Sequence, residues 1–180
     1  MIVVDIETSG LHPTQHSILS IGVVDFDNQE NCFYGECKLR EGAAIDPEAL
    51  KVNGFTIEEI KTREKSCQEL LKEFLEWTAN IKDRTLAGFS VSFDSEFLRE
   101  HFRLYSLNWP FRAKTVDFHS IFYFYFLKNK LQIPLNKENI SRITLDFVID
   151  YFNLEKRQGF HNALEDAKLA AKAFSLLLNK

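Results

Sequence analysis

The sequence predicts an α/β fold in which a mixed β-sheet is covered by helices. Three observations predict it. Residues 2–7, 17–27 and 31–40 read as strands, and their short connections favour antiparallel pairing. Two more short strand-like runs follow, at 85–89 and 115–118. Helical patterns at 67–81, 94–105, 144–152 and 163–178 are interleaved with and follow them. A meander followed by alternating helices and strands gives a mixed sheet with helices on its faces. The length of 180 residues fits one domain over 1–180, and 45% hydrophobic content supplies a core without disulfides or structural metals.

Each element has its local reason. Ile2, Val3, Val4 and Ile6 make the first strand apolar on both faces. The second runs from Ser17 to Asp27, a turn occupies 27–30, and the third covers 31–40. Pro47 to Val52 reads as a short helix closed by Asn53-Gly54. Ser66 and Glu69 form a capping box, and Leu70, Leu71, Phe74, Leu75 and Trp77 follow near helical spacing. Asn162 is a natural N-cap with Glu165 at N3, and Leu164, Ala167, Ala171, Phe174 and Leu177 give the last helix an apolar face. Residues 120–127 are an aromatic run. It reads as a buried helix or strand face, with stacking on single-stranded bases or contact with a homodimer partner as alternatives.

The totals exclude several classes. No apolar run approaches the ~20 residues of a membrane span, and the N-terminus lacks a secretory signal pattern. Cys32, Cys37 and Cys67 form no CxxC pair, which predicts free thiols in a reducing compartment, the cytoplasm. On one continuous strand Cys32 and Cys37 would face opposite sides and act as strand filler. The net charge of −4 makes no general electrostatic case for nucleic acid. A cluster of acids holding divalent cations can nevertheless bind phosphate on an acidic protein.

Such a cluster is suggested by Asp5 and Glu7. Residues i and i+2 of a strand share a face, so two carboxylates leave one side of an apolar strand just before a Thr8-Ser9-Gly10 turn. Buried carboxylates need a counter-cation, and no Lys or Arg precedes position 38. Asp94 falls where a short strand turns into a helix, the usual place for a site residue in an α/β sheet. Alone it reads first as a helix N-terminal acid. His161 precedes the last helix and Asp166 ends its first turn. Alone, His161 reads as a capping or core histidine and Asp166 as a helix-start acid.

The ordered set Asp-x-Glu-Thr-x-Gly-Leu, then Phe93-Asp94 opening a helix, then His161-x4-Asp166 resembles the DEDDh 3′–5′ exonucleases of the DnaQ-like superfamily. That group includes polymerase proofreading subunits and small stand-alone nucleases. The resemblance covers roughly the whole chain, and 48–56 is similar to the family's helix-then-Gly-x-Thr segment. A sister group has Tyr-x3-Asp in the third motif. Here the residue four before Asp166 is Asn162, so the histidine type fits. Ser90 stands where family members often have Asn, and Phe89 where a polar residue is common.

The resemblance implies a ribonuclease-H-like mixed five-stranded sheet flanked by helices. It also implies hydrolysis of single-stranded DNA or RNA from 3′ ends to nucleoside 5′-monophosphates. Two ions, Mg²⁺ or Mn²⁺, would be held by Asp5, Glu7, Asp94 and Asp166. Asp5, Glu7 and Asp166 would hold the ion that carries the nucleophilic water, and Asp5 would bridge to the second ion beside Asp94. His161 would be the general base. Thr8, Gly10, Leu11, Ser90 and Phe93 would contact substrate, Gly10 by letting the backbone approach and Leu11 as a wedge against the last bases. Lys156 and Arg157 could contact phosphates or stand as solvated loop charge. The same chemistry could serve beside a DNA polymerase, or on small oligoribonucleotides. A catalytically silent adaptor would be expected to have lost a ligand, and none is replaced.

Overall fold

Five strands form one sheet in the order β3-β2-β1-β4-β5. They are β1 (Ile2–Thr8), β2 (Ile18–Asp25), β3 (Asn28–Glu36), β4 (Leu86–Gly88) and β5 (Thr115–Asp117). The structure, a computed structural model, describes residues 1–179. β1, β2 and β3 pair antiparallel, and β4 and β5 pair parallel alongside β1. The expected mixed five-stranded sheet is therefore present. Seven helices accompany it among the described residues: α1 (Pro47–Asn53), α2 (Ile57–Thr62), α3 (Cys67–Thr78), α4 (Ser92–Leu104), α5 (Phe118–Lys128), α6 (Leu145–Tyr151) and α7 (Ala163–Leu178). None is long and apolar enough to cross a membrane.

The alternation of β1 sends its residues to two cores. Ile2, Val4 and Ile6 pack with Ile21 and Val23 under Leu70, Leu71 and Phe74 of α3 and Phe97, Leu98 and Phe102 of α4. Val3 faces the other way, with Val24 and Ala87, under Phe118, Phe122 and Phe126 of α5 and Ala167, Ala171 and Phe174 of α7. Each fully buried Phe or Leu contributes about 1.5–3 kcal/mol. Asp5 and Glu7 share the parity of Val3 but lie further along β1, where the apolar cover of that face gives out.

The boundaries differ from expectation in places. β3 begins at Asn28, not 31, because Phe26 and Asp27 alone make the turn, with Phe26 N–H donating to Met1 O at 2.9 Å. It ends at Glu36. Beyond it Lys38 and Leu39 turn away to donate to Lys65 O and Ile60 O, so Cys37 is not a strand residue. Cys37 and Cys32 still lie in opposite cores, and all three thiols are free. α3 stops at Thr78 rather than 81, and Ile81 turns into the core. The aromatic run is a helix, α5, capped by Asp117. Phe118, Phe122 and Phe126 are buried at i, i+4 spacing, and Phe124 is exposed. α2 lies in a stretch read only as a Gly-x-Thr segment, with Thr56 and Glu59 forming its capping box.

Candidate active site

The site lies at the C-terminal ends of the parallel neighbours β1 and β4, where α/β sheets place their ligands. β1 supplies Asp5 and Glu7. Asp94 enters from the first turn of α4, and its Oδ1 accepts the N–H of Ile6 at 3.0 Å, between the two β1 acids. Glu7 and Asp94 are 7% and 4% exposed.

α7 brings the remaining groups. Asn162 caps it, accepting from the N–H groups of Leu164 and Glu165. That cap fixes His161 just outside the helix and Asp166 just inside. Asp5 pairs with Gly22 across β1 and β2, and the start of α7 lies directly on Gly22. A Cβ at Gly22 would meet the backbone of Ala163 and Leu164 at 2.1 Å. Only glycine lets the helix come this close, and the approach sets Asp166, 2% exposed, beside the β1 acids. Ligand atoms of Glu7, His161 and Asp166 all lie within 4.8 Å of one another.

The second wall is α1. Its last residue, Asn53, donates Nδ2–H to Thr8 O at 3.1 Å. One residue earlier, Val52 O accepts the N–H of His161 at 3.0 Å. The helix end thus ties the exit of β1 to the entry of α7. Neither contact had a sequence signal beyond the Asn53-Gly54 helix stop.

Electrostatics show what the cluster lacks. Burial pushes the Asp5 carboxyl well above the usual range, and Asp94, Glu7 and Asp166 push it further, with Arg157 opposing. Burial raises Glu7 to about 7, against the pull of His161 and Arg157. Burial also raises Asp94, although its own N–H and that of Ile6 stabilise the carboxylate. The bond to Asp166 holds the His161 imidazole above its ordinary pKa, with Nδ1 3.2 Å from Oδ2. Four carboxylates in a desolvated cluster, with oxygen donors converging, fit a divalent cation.

Other residues singled out in the sequence have mixed placements. Leu11, three residues beyond the end of β1, is 66% exposed. Thr8 is buried and donates its hydroxyl to Gly10 O at 2.7 Å. Gly10 has a packing reason of its own, because a Cβ there would meet the His16 ring at 2.1 Å. Ser90 is exposed with φ 53°, and Phe93 packs on Phe97 with ring centroids 4.9 Å apart. Phe89 stacks on Phe122 in the second core, which explains an aromatic at that position. Lys156 is paired with Asp150, whereas Arg157 reaches into the cluster. Two residues were missed. Phe160 is 63% exposed beside His161 with its ring lying over Gly54, and Asp146 holds Arg157. Asp146 reads in the sequence as an ordinary helix-start acid.

A family model described as "RNase_T: Exonuclease" matches residues 2–174. The 3′-5′ DNA exonuclease Cap18 of Escherichia coli is 28% identical over 181 residues, covering 97% of this chain and 89% of the relative. The DNA polymerase III subunit epsilon of Buchnera aphidicola is 29% identical over 184 residues, covering 98% and 69%. E. coli exonuclease I in complex with a dT13 oligonucleotide superposes with a TM-score of 0.81 at 18% identity, over 98% of this chain and 40% of that one. That last likeness is one of fold. The chain therefore belongs to the exonuclease family, as a 3′–5′ exonuclease of the DnaQ-like kind. The family is divalent-metal dependent.

Proposed function

We propose that this exonuclease hydrolyses single-stranded nucleic acid, DNA in preference to RNA, and releases nucleoside 5′-monophosphates one at a time from the 3′ end. The observation that carries the reading is the convergence of Glu7, His161 and Asp166 beside the repelling acids Asp5 and Asp94. Two Mg²⁺ or Mn²⁺ ions would be held there, one by Asp5, Glu7 and Asp166 and the other by Asp5 and Asp94. When bound, such ions lower the pKa of water and neutralise charge on the attacking and leaving oxygens.

The chain's own groups do the rest. Asp166 accepts Nδ1–H of His161 and so fixes the tautomer that leaves Nε2 as the proton acceptor for the attacking water. The low exposure of Glu7, Asp94 and Asp166 keeps bulk water away from these carboxylates, with Asp5 half-buried beside them. Leu11 offers an apolar edge to the terminal bases, as Thr8 and Gly10 shape the turn beneath it, and Ser90 and Phe93 border the site near Asp94. The DNA preference is supported by the likeness to a DNA exonuclease. A role beside a DNA polymerase is the second reading, supported by the likeness to an epsilon subunit. The free thiols fit a reducing compartment such as the cytoplasm.

The test is gel analysis of 5′-labelled DNA and RNA 20-mers with Mg²⁺, Mn²⁺ or EDTA. A ladder shortening from the 3′ end is expected, faster on DNA, and abolished by EDTA and by Asp94→Ala. No cleavage of either strand by the folded protein would overturn the reading. Leu11→Ala is expected to raise KM several-fold with kcat less affected. Unchanged kinetic constants would remove the wedge.

A further inference from the structure

Arg157 sits in the loop between α6 and α7, yet its side chain is only 10% exposed. Nη1 donates to Asp166 Oδ1. Nη2 donates to Asp146 Oδ1 at 2.5 Å and lies 2.9 Å from His161 Nε2, which accepts from it. The guanidinium therefore engages a carboxylate oxygen and an imidazole lone pair that belong to the reaction. Its neighbour Lys156 does not share this position, being 71% exposed and paired outward with Asp150 at 2.6 Å. Asp146 is 65% exposed, on the first turn of α6, and its contact with Arg157 places it at the outer end of this chain of charges.

We infer that Arg157 is a built-in competitor for the divalent cation at Asp166, and that Asp146 is its tether. A guanidinium and a metal ion on one carboxylate oxygen repel at short range in a poorly hydrated site, so occupancy by one disfavours the other. The apparent metal affinity is then reduced by the fraction of molecules in which Arg157 is docked. Release of Arg157 does two things at once: it frees Asp166 Oδ1 and uncovers His161 Nε2. Metal uptake and the availability of the base are thereby coupled through one side chain. The inference rests on the reading that these carboxylates hold a divalent cation, and it does not depend on the identity of the nucleic acid.

The two explanations of Asp146 predict opposite signs. If it merely adds negative charge near the cluster, removing that charge weakens cation binding. If it tethers the competitor, removing it strengthens cation binding. The test is calorimetric titration of the whole protein with Mn²⁺, without nucleic acid, at fixed pH and ionic strength. The variants are Asp146→Asn, Arg157→Gln and, as control, Lys156→Gln. Both Asp146→Asn and Arg157→Gln are expected to bind Mn²⁺ several-fold more tightly than the wild type, with Lys156→Gln unchanged. The rise in Tm on adding Mn²⁺ should be larger in the same two variants. Asp146→Asn binding Mn²⁺ no more tightly than the wild type would overturn the inference and leave the metal reading standing. Absence of Mn²⁺ binding in every protein would overturn both.

Discussion

Gly22→Ala is expected to lower stability by roughly 3 kcal/mol, the upper end for inserting a methyl into a packed site, and to cut turnover at least ~100-fold in the protein that remains folded. The reason is where the new methyl would land. It meets the carbonyl carbon of Ala163 and the amide nitrogen of Leu164 at 2.1 Å, which are backbone atoms rather than the free end of a side chain. The start of α7 has to move. Asp166 lies in the same first turn and His161 just ahead of the cap, so the displacement that relieves the clash also pulls both from the β1 acids. Calorimetric unfolding together with single-turnover cleavage, at a temperature where both proteins are folded, separates the two effects. Wild-type Tm and rate would show that α7 does not depend on this contact.

Glu7→Gln is expected to abolish cleavage and yet stabilise the protein in EDTA. Burial raises Glu7 from 4.5 to about 7, so between those pH values the folded state holds a proton that the unfolded chain releases. Stability therefore falls as pH rises through that window, and the full cost is present above it. Glutamine removes the cost. At pH 8 in EDTA the variant should exceed the wild type by up to about 3 kcal/mol, and the two should converge below pH 4.5. Asp5 and Asp94 shift in the same direction and steepen the wild-type slope. His101, held down to about 4 by burial, works the other way and loses stability as pH falls from 6.5. The difference between variant and wild type cancels that background. Saturating Mn²⁺ should reverse the ranking, since the wild type alone keeps the full donor set. Chemical denaturation across pH, with EDTA and with Mn²⁺, checks both signs. A variant less stable than wild type at pH 8 in EDTA would mean that Glu7 already has a compensating partner.

Much of this was legible in the sequence because the cues are local. Strand alternation sends Asp5 and Glu7 to one face, and the Asn162–Glu165 cap puts His161 outside the last helix and Asp166 within it. The strands and longer helices followed from hydrophobic period and caps, including the Ser66–Glu69 box of α3. α5 was ambiguous because Phe and Tyr occupy its exposed face as well as its buried one, which erases the period. α2 was missed because a six-residue helix with one buried side chain, Ile60, has no period to detect. Arg157 could be flagged only as a charge near the histidine. Its docking on Asp146 and Asp166, like the contact of α7 with Gly22, is tertiary and leaves no local trace.

The dependence of the site on α7 also has a consequence in time. Asp166 follows Glu7 by 159 positions in the chain (166 − 7), so the first strand leaves the ribosome long before the last helix exists. At ~5–20 residues per second that interval is on the order of ten seconds or more. The face of the sheet under α3 and α4 can close early, and α5 can cover Val3, but Asp5 and Glu7 wait for α7. A nascent chain lacking α7 therefore carries Asp5, Glu7 and Asp94 but not Asp166 in its docked place. On the proposed roles of His161 and Asp166, cleavage beside nucleic acid begins only once α7 has been synthesised and docked.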